Sequence, residues 1–370
     1  MSRGISHRFS MMSGAVASGG SCVRLRLPSL GTMMEFRYSL PFVFAALVPV
    51  GVKLGGAWTF LPAVATFLSL TLLGSIVGDE RIQKILPVEP SVRWLPRIYI
   101  LLQLLVTAWA AISIALKARF PEMVGLIIST GTTAGIFGFL AAHEMIHSPN
   151  KRERALGLIF LGSVFYMHFR IAHLFGHHRR AATADDPTTA RLGESYYAFL
   201  VRSIWGQLHD SWTFECRRLQ RSGRTAFDLQ NRVLKYVALE VSAVIGIALV
   251  SSRALILVLG SAVVAICLLE GFNYIAHYGL VRRKFADGRF EPLQPKHSWN
   301  SREWMNNAAL LNMGCHSDHH RRPSRSFEEL KHIPAGTELP SGYAAAVILS
   351  LVPPLWRSLM DSRARAAMSG

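Results

Sequence analysis

Residues 122–147 read EMVGLIISTGTTAGIFGFLAAHEMIH, an apolar stretch that ends in two histidines. Residues 122–142 carry no charge after the first glutamate and are long enough to cross a bilayer, which needs about 20 mostly apolar residues. His143 and His147 are four positions apart, so they share one face of a helix. The stretch therefore predicts a membrane span with two imidazoles at its polar end.

Five other stretches have a similar length and composition. Apolar residues make up 51% of the 370 residues and charged residues 17%, against about 25% charged residues in ordinary soluble domains. We therefore predict an all-α fold, a polytopic membrane helix bundle of about six transmembrane helices. The predicted spans are 39–56, 57–78, 95–117, 122–142, 236–252 and 254–277, whereas the stretches 155–169 and 343–356 are expected to be interfacial or buried.

Basic residues are concentrated in three links between these spans, 79–94, 148–235 and 278–342. The positive-inside rule places the links in the cytoplasm, which predicts an integral membrane protein, in a bacterial inner membrane, whose site faces the cytoplasm. The net charge of +17 follows this membrane pattern, so no nucleic-acid partner is expected. Residues 1–33 are expected to be a disordered or mis-assigned extension, and 34–370 a single domain.

Two more histidine clusters occupy the basic links. The first is HLFGHH over 173–178, in which the first two histidines are expected to share a helix face while the third is rotated by about 100° from its neighbour. Adjacent histidines that point to different sides suit a pair of metal ions better than one. The second is HSDHH over 316–320, and its Asp318 is expected to orient an imidazole.

Single histidines are interpreted from their neighbours. His277, in the run NYIAHYG over 273–279, ends the sixth predicted span at the depth of the clusters and is predicted to be a ligand. His297 is a weaker candidate, and its predicted role is to support a metal ligand rather than to bind the metal. The other histidines lack partners in sequence and are expected to be surface or packing residues: His7, His168, His209 and His332.

The run HEMIH over 143–147 has two interpretations when taken alone. In zinc proteases such histidines bind the metal, and the intervening glutamate, here Glu144, is the general base. In a site shared with the other clusters, Glu144 is predicted to be a catalytic carboxylate that orients a ligand or contacts a metal.

Nine imidazoles with few carboxylates favour borderline metal ions, because calcium and magnesium prefer oxygen ligands. Soft thiolate chemistry is excluded by the spacing of the four cysteines, which form no CxxC pair. Iron with open positions for O₂ fits this donor set, and zinc remains chemically possible. One ion rarely needs more than about four imidazoles, so more than one ion is predicted.

Together, the motifs resemble the integral-membrane alkane 1-monooxygenases, within the histidine-box group of fatty-acid desaturases and xylene monooxygenases. The resemblance covers most of 34–330 and is carried by HEMIH over 143–147, GHHR over 176–179, NYIAHYGL over 273–280 and HSDHH over 316–320. It implies two iron ions, Fe²⁺ or Fe³⁺, that activate O₂ and insert one oxygen atom into a terminal C–H bond of an alkane or alkyl chain. The matching ligand positions are His143, His147, His173, His177, His178, His277, His316, His319 and His320.

The resemblance also implies partners and alternatives. Electrons would come from a rubredoxin or ferredoxin with its reductase, and a lipophilic substrate would come from the membrane lipid. Relatives often place glutamate before the histidine in two of the boxes, where this chain has Ala172 and Ala276. The alternatives are a fatty-acyl desaturase or decarboxylase and, more remotely, an intramembrane zinc protease. Aromatic candidates for a substrate channel are Trp58, Phe60, Phe67 and Phe137.

Overall fold

The computed structural model describes residues 37–79, 90–117 and 119–369, so the predicted extension 1–33 lies outside the described residues. Helices dominate the described part of the chain. In chain order they are α1 (Arg37–Leu54), α2 (Gly56–Val77), α3 (Val92–Ile114), α4 (Phe120–His147), α5 (Lys151–Ser163), α6 (169–180), α7 (Tyr196–Gln220), α8 (Arg232–Val250), α9 (Ser252–Ala276), α10 (Trp304–Ala309), α11 (His316–Arg321), α12 (Tyr343–Ser350) and α13 (Pro353–Ser369).

Six helices are long and apolar enough to cross a membrane, namely α1, α2, α3, α4, α8 and α9. This confirms the predicted polytopic bundle. The predicted fourth span ends at residue 142, but α4 continues to His147, so the first two histidines lie on the spanning helix itself. Side chains that accept backbone N–H groups fix two helix starts, Asn231 before α8 and Ser251 before α9.

Helices α4 and α9 pack closely through small residues. A Cβ atom at Gly131 would lie 2.5 Å from a side chain of α9, and one at Gly135 would lie 2.8 Å from its backbone. The hydroxyl oxygens of Thr130 and Ser261 are 2.5 Å apart across the same interface. Small residues and interhelical hydroxyl contacts hold membrane helices together where lipid provides no hydrophobic driving force.

Helix α7 lies in the link 148–235, outside the apolar stretches predicted from the sequence. The middle of its buried face is polar, with Ser203, Gln207, Ser211 and Glu215, while both ends of that face are apolar. Ser203 and Gln207 donate to the buried carboxylate of Glu270 on α9, at 2.6 Å and 2.8 Å. These hydrogen bonds satisfy the polar groups that the helix buries.

The two uncertain apolar stretches form short helices. Stretch 155–169 corresponds to α5, which begins earlier, at Lys151, because Asn150 caps it. Stretch 343–356 divides into α12 and α13, with Pro353 at the start of the second helix, where proline is favoured. Neither is a candidate span. A two-stranded parallel sheet, β1 (Trp299–Asn300) with β2 (Thr337–Glu338), joins the segments around α11.

Candidate metal centre

Nine histidines meet beside the polar ends of α4 and α9 and form two groups. In each group the ligand-capable atoms all lie within 4.8 Å of one another. Every histidine predicted as a ligand belongs to one of the groups. The five-histidine half contains His143, His147, His173, His178 and His319, and the four-histidine half contains His177, His277, His316 and His320.

The five-histidine half is arranged around Nε2 of His173. This atom lies 2.9 Å from Nε2 of His143, 3.0 Å from Nε2 of His147 and 3.0 Å from Nε2 of His178. The Nε2 atoms of His147 and His178 are 3.1 Å apart. The ring of His319 packs beside that of His143, with 4.6 Å between centroids, and completes the group.

The four-histidine half has a similar arrangement. Nε2 of His320 lies 3.0 Å from Nε2 of His316 and 3.1 Å from Nε2 of His277. Nε2 of His277 and Nε2 of His316 are 3.3 Å apart. The ring of His177 lies against those of His277 and His320, with centroids 5.1 Å and 4.8 Å away. All four side chains are buried.

Hydrogen bonding among the rings does not account for this geometry. A neutral imidazole has one donor and one acceptor nitrogen, so a triangle of Nε2 atoms leaves lone pairs facing one another. A metal ion in each half would use these lone pairs, because cis nitrogen ligands at about 2.1 Å from an ion lie about 3 Å apart. A donor set of imidazoles suits iron, zinc, copper or nickel. The residues therefore fit a pair of such ions.

The histidines of α6 divide between the halves in an unexpected way. An α-helical pattern predicts that positions 173 and 177 share a face, and their rings do stack, with 5.3 Å between centroids. The two rings nevertheless belong to different halves, because His173 groups with His178. The segment Ala172–His177 is a π-helical turn, and Nε2 of His173 lies 3.0 Å from Nε2 of His178. The prediction that His177 and His178 point to different sides is confirmed.

Asp186 supports the four-histidine half. Nδ1 of His177 lies 2.9 Å from Oδ2 of Asp186 and 2.6 Å from Oγ1 of Thr188, which itself donates to Asp186. Burial alone would raise the pKa of this carboxyl, but its contact with His177 and the hydrogen bond from Thr189 hold it well below its usual range. An ionised carboxylate on the remote ring nitrogen fixes the tautomer and orientation of a metal ligand.

The prediction that Asp318 orients an imidazole is wrong. Its carboxylate accepts from Nη1 of Arg325 at 2.8 Å and from the backbone N–H of Lys331 at 3.0 Å, so it holds the chain after α11 rather than an imidazole. Asp186 was missed because it lies nine residues after its histidine. Its only sequence signal is the Asp-Pro turn that follows the second cluster.

A backbone carbonyl supports the other side of the four-histidine half. Nδ1 of His277 donates to the carbonyl oxygen of His297 at 2.8 Å, so His297 acts through its backbone rather than its ring. Burial lowers the pKa of His277 to about 3. The ring is therefore neutral at physiological pH, as a metal ligand must be.

The histidines predicted as surface or packing residues lie outside both halves. His168 packs against the ring of Tyr166, with 4.5 Å between centroids, and His209 is exposed on α7. His332 lies 2.5 Å from Oε1 of Glu338. His7 falls outside the described residues.

Glu144 lies between two ligands on α4 but belongs to neither half. Its Oε1 accepts from Oγ of Ser326 at 3.2 Å and from the backbone N–H of Phe327 at 3.3 Å. The carboxylate thus faces the segment that follows α11. Its catalytic role stays a prediction.

A narrow apolar cavity lies between α2, α4, α9 and α12. Leu140, which lines the cavity, is one helical turn before His143. Phe272, which also lines it, has its ring 5.5 Å from that of His316. The cavity therefore adjoins both halves. Of the aromatic channel candidates Phe67 lines it, whereas Trp58, Phe60 and Phe137 do not.

Known proteins resemble this chain over most of its length. The profile of the family described as fatty acid desaturase matches residues 120–339, which include all nine histidines. The chain is 33% identical to alkane 1-monooxygenase 2 of Pseudomonas aeruginosa over 366 residues, which is 96% of this chain and 97% of that protein. The chain belongs to the alkane 1-monooxygenase family.

Further relatives agree with this membership. Alkane 1-monooxygenase of Acinetobacter baylyi is 35% identical over 297 residues, which is 79% of this chain and 72% of that protein. The hydroxylase component of a xylene/toluene monooxygenase of Pseudomonas putida is 30% identical over 342 residues, covering 89% and 88%. As a member of the alkane 1-monooxygenase family, the chain is a membrane-embedded oxidoreductase of the oxygenase class, and the resemblance drawn from its motifs is confirmed.

Proposed function

We propose that this protein is a di-iron monooxygenase that hydroxylates a terminal methyl C–H bond of an alkane or alkyl chain. The observation that carries the proposal is the division of nine imidazoles into two adjoining halves beside an apolar cavity. The names of its relatives, alkane 1-monooxygenase and xylene/toluene monooxygenase, support a hydrocarbon substrate.

The chain's own residues would bind the irons and position the alkyl chain. Each half would hold one iron through imidazole nitrogens, and the iron pair, when bound, supplies the activation of O₂. Phe139, Leu140 and Phe272 line the cavity where it meets the histidines, so they would direct the end of an alkyl chain toward the centre. Their apolar side chains also exclude water from the reacting carbon.

The reaction needs electrons from another protein. When one oxygen atom enters the C–H bond, the second leaves as water, and this consumes two electrons and two protons. The four cysteines form no CxxC pair that could hold a redox centre in this chain. We therefore assign a rubredoxin or ferredoxin, with its reductase, as the electron donor.

Basic residues next to the ligands offer a docking surface for an acidic donor. Arg179 follows His178, Arg321 follows His320, and both arginines are exposed. Arg282 donates to the carbonyl of Arg179 at 3.2 Å and so joins two basic segments. By the positive-inside rule this face is cytoplasmic, and the protein is assigned to a bacterial inner membrane.

The docking surface is tested by measuring turnover at increasing salt concentration. Surface charges are screened beyond about 8–10 Å at ordinary ionic strength, so turnover at sub-saturating donor should fall as salt is added. Turnover at saturating donor serves as the control, because association no longer limits the rate there. Turnover that is independent of salt at low donor concentration would contradict electrostatic docking.

The proposed reaction is tested with purified protein in lipid. The protein is supplied with iron, a rubredoxin system and a panel of alkanes, alkyl aromatics and fatty acyl compounds, and products are identified by mass spectrometry. Primary alcohols carrying one atom from ¹⁸O₂ are expected. An alkene product would replace the proposal with the desaturase alternative.

A further inference from the structure

A second cavity lies beside the five-histidine half, and its lining is polar. It is bounded by the start of α3, the end of α4, α5 and residues 324–329. His147 and Glu144 contribute to its lining, whereas Ser324 and Glu329, also in the lining, are exposed to solvent. This polar vestibule therefore connects the protein surface with a ring of the metal centre.

Ion pairs hold the walls of the polar vestibule. Arg93 pairs with Glu329 at 2.6 Å, and Arg97 pairs with Glu153. These pairs join α3 to the segment after α11 and to α5. The walls are thus fixed by charged groups that water solvates well, and the space is suited to hydrated ions rather than to an alkyl chain.

Glu144 differs from the other carboxylates of the polar vestibule. Its hydrogen bonds come from the neutral donors Ser326 and Phe327 rather than from a guanidinium group. Carboxylate oxygens at this position lie on the way from the surface to His147. A carboxylate attracts a passing divalent cation by its charge and offers it oxygen atoms in place of water.

The two halves also differ in exposure. In the five-histidine half His147 and His178 are partly exposed, whereas all four rings of the other half are buried. We propose that the polar vestibule is the route by which hydrated divalent metal ions reach the five-histidine half. The inference rests on the proposed function in that this half holds a metal ion.

The route is tested by loading apoprotein in lipid with Co²⁺, whose visible absorption reports coordination by imidazole. Two loading phases are expected, and the faster one belongs to the partly exposed five-histidine half. Ser324→Trp places a large side chain at the exposed side of the polar vestibule, and it should slow this faster phase several-fold without changing the final Co²⁺ content. Ser222→Trp, at an exposed position outside the vestibule lining, is the matched control and should load at the wild-type rate.

A reversible block separates obstruction from misfolding. Ser324→Cys is modified with a bulky disulfide-forming reagent, and wild-type protein treated in the same way corrects for the native cysteines. Loading should slow after modification and recover when a reductant removes the adduct. Unchanged loading in both Ser324 variants would overturn the route, whereas wild-type protein that takes up no Co²⁺ would overturn the metal centre itself.

Discussion

The two halves of the candidate metal centre hold their histidines differently. In the four-histidine half, His177 is oriented by Asp186, and His277 is oriented by the carbonyl of His297. All four rings are buried, so this half combines fewer histidines with orienting groups for two of them.

The five-histidine half has more ligands and less support. Among the described residues, Nδ1 of His143 and Nδ1 of His178 have no hydrogen-bond partner, and the same holds for Nδ1 of His316 and Nδ1 of His320 in the other half. The halves differ in the oriented rings, His177 and His277, which both belong to the four-histidine half. His147 lines the polar vestibule and is partly exposed. We therefore expect the halves to respond differently to the loss of a ligand or of a supporting group.

Removing one ligand from each half should give the largest effect. His320→Ala leaves three imidazoles in the four-histidine half, so metal content should fall from about two ions per chain toward about one, and turnover should be lost. His319→Ala leaves four imidazoles in the other half and should retain more metal. Metal analysis of purified protein, together with product formation, measures both effects.

His209→Ala, on the exposed face of α7, is the control for these variants and should keep both ions. Equal metal loss in His320→Ala and His319→Ala would show that ligand number does not distinguish the halves. One zinc ion per chain with full activity would contradict the iron pair altogether.

Removing the supporting carboxylate should have the next largest effect. Asp186→Asn keeps the shape and an acceptor oxygen for His177 but loses the charge, so metal affinity in the four-histidine half should fall by about 10–100-fold. Titration with a metal chelator measures this affinity. Asp318→Asn is the matched control, because Asp318 binds Arg325 and the Lys331 backbone. Equal metal affinities in the two variants would show that Asp186 does not support metal binding.

A smaller effect is expected from removing the carboxylate of Glu144, which lies beside the five-histidine half. Glu144→Gln keeps the contacts to Ser326 and Phe327 possible but removes a carboxylate beside His147, so oxidation should slow by about tenfold while peptides remain uncleaved. Product formation and a membrane-peptide cleavage assay are measured in parallel. Cleavage by wild-type protein that disappears in the variant would support the zinc protease instead.

The smallest effect concerns substrate choice. Ala172 precedes a ligand of the five-histidine half, Ala276 precedes a ligand of the four-histidine half, and both are buried. Glutamate at either position must displace packed neighbours at a cost of about 1–3 kcal/mol, but it adds negative charge beside one half. We expect relative turnover of plain and functionalised alkyl substrates to shift several-fold, most in the double variant. An unchanged ratio with both irons bound would show that these positions do not set substrate choice.

The sequence predicts what depends on local spacing. Span length and apolar composition identify the six spans, and eight clustered histidines together with the single His277 identify all nine members of the two halves. Helix α7 escaped prediction because the middle of its buried face is polar, and Asp186 because its contact to His177 depends on how a loop folds back. The pairing of His173 with His178 also could not be predicted, since a π-helical turn leaves no composition signal.

The π-helical turn constrains the number of residues in its segment more than the identity of those residues. It corresponds to one residue inserted into an α-helix. Deleting one of residues 174–176 would remove this turn, and His177 and His178 would then stand three and four positions after His173 in a regular α-helix. The direction of His177 relative to His173 would change, and the four-histidine half would retain three well-placed rings. Apart from its three histidines, segment 172–178 should therefore accept changes of side chain but no insertion or deletion, and an aligned set of active relatives should show no gap there.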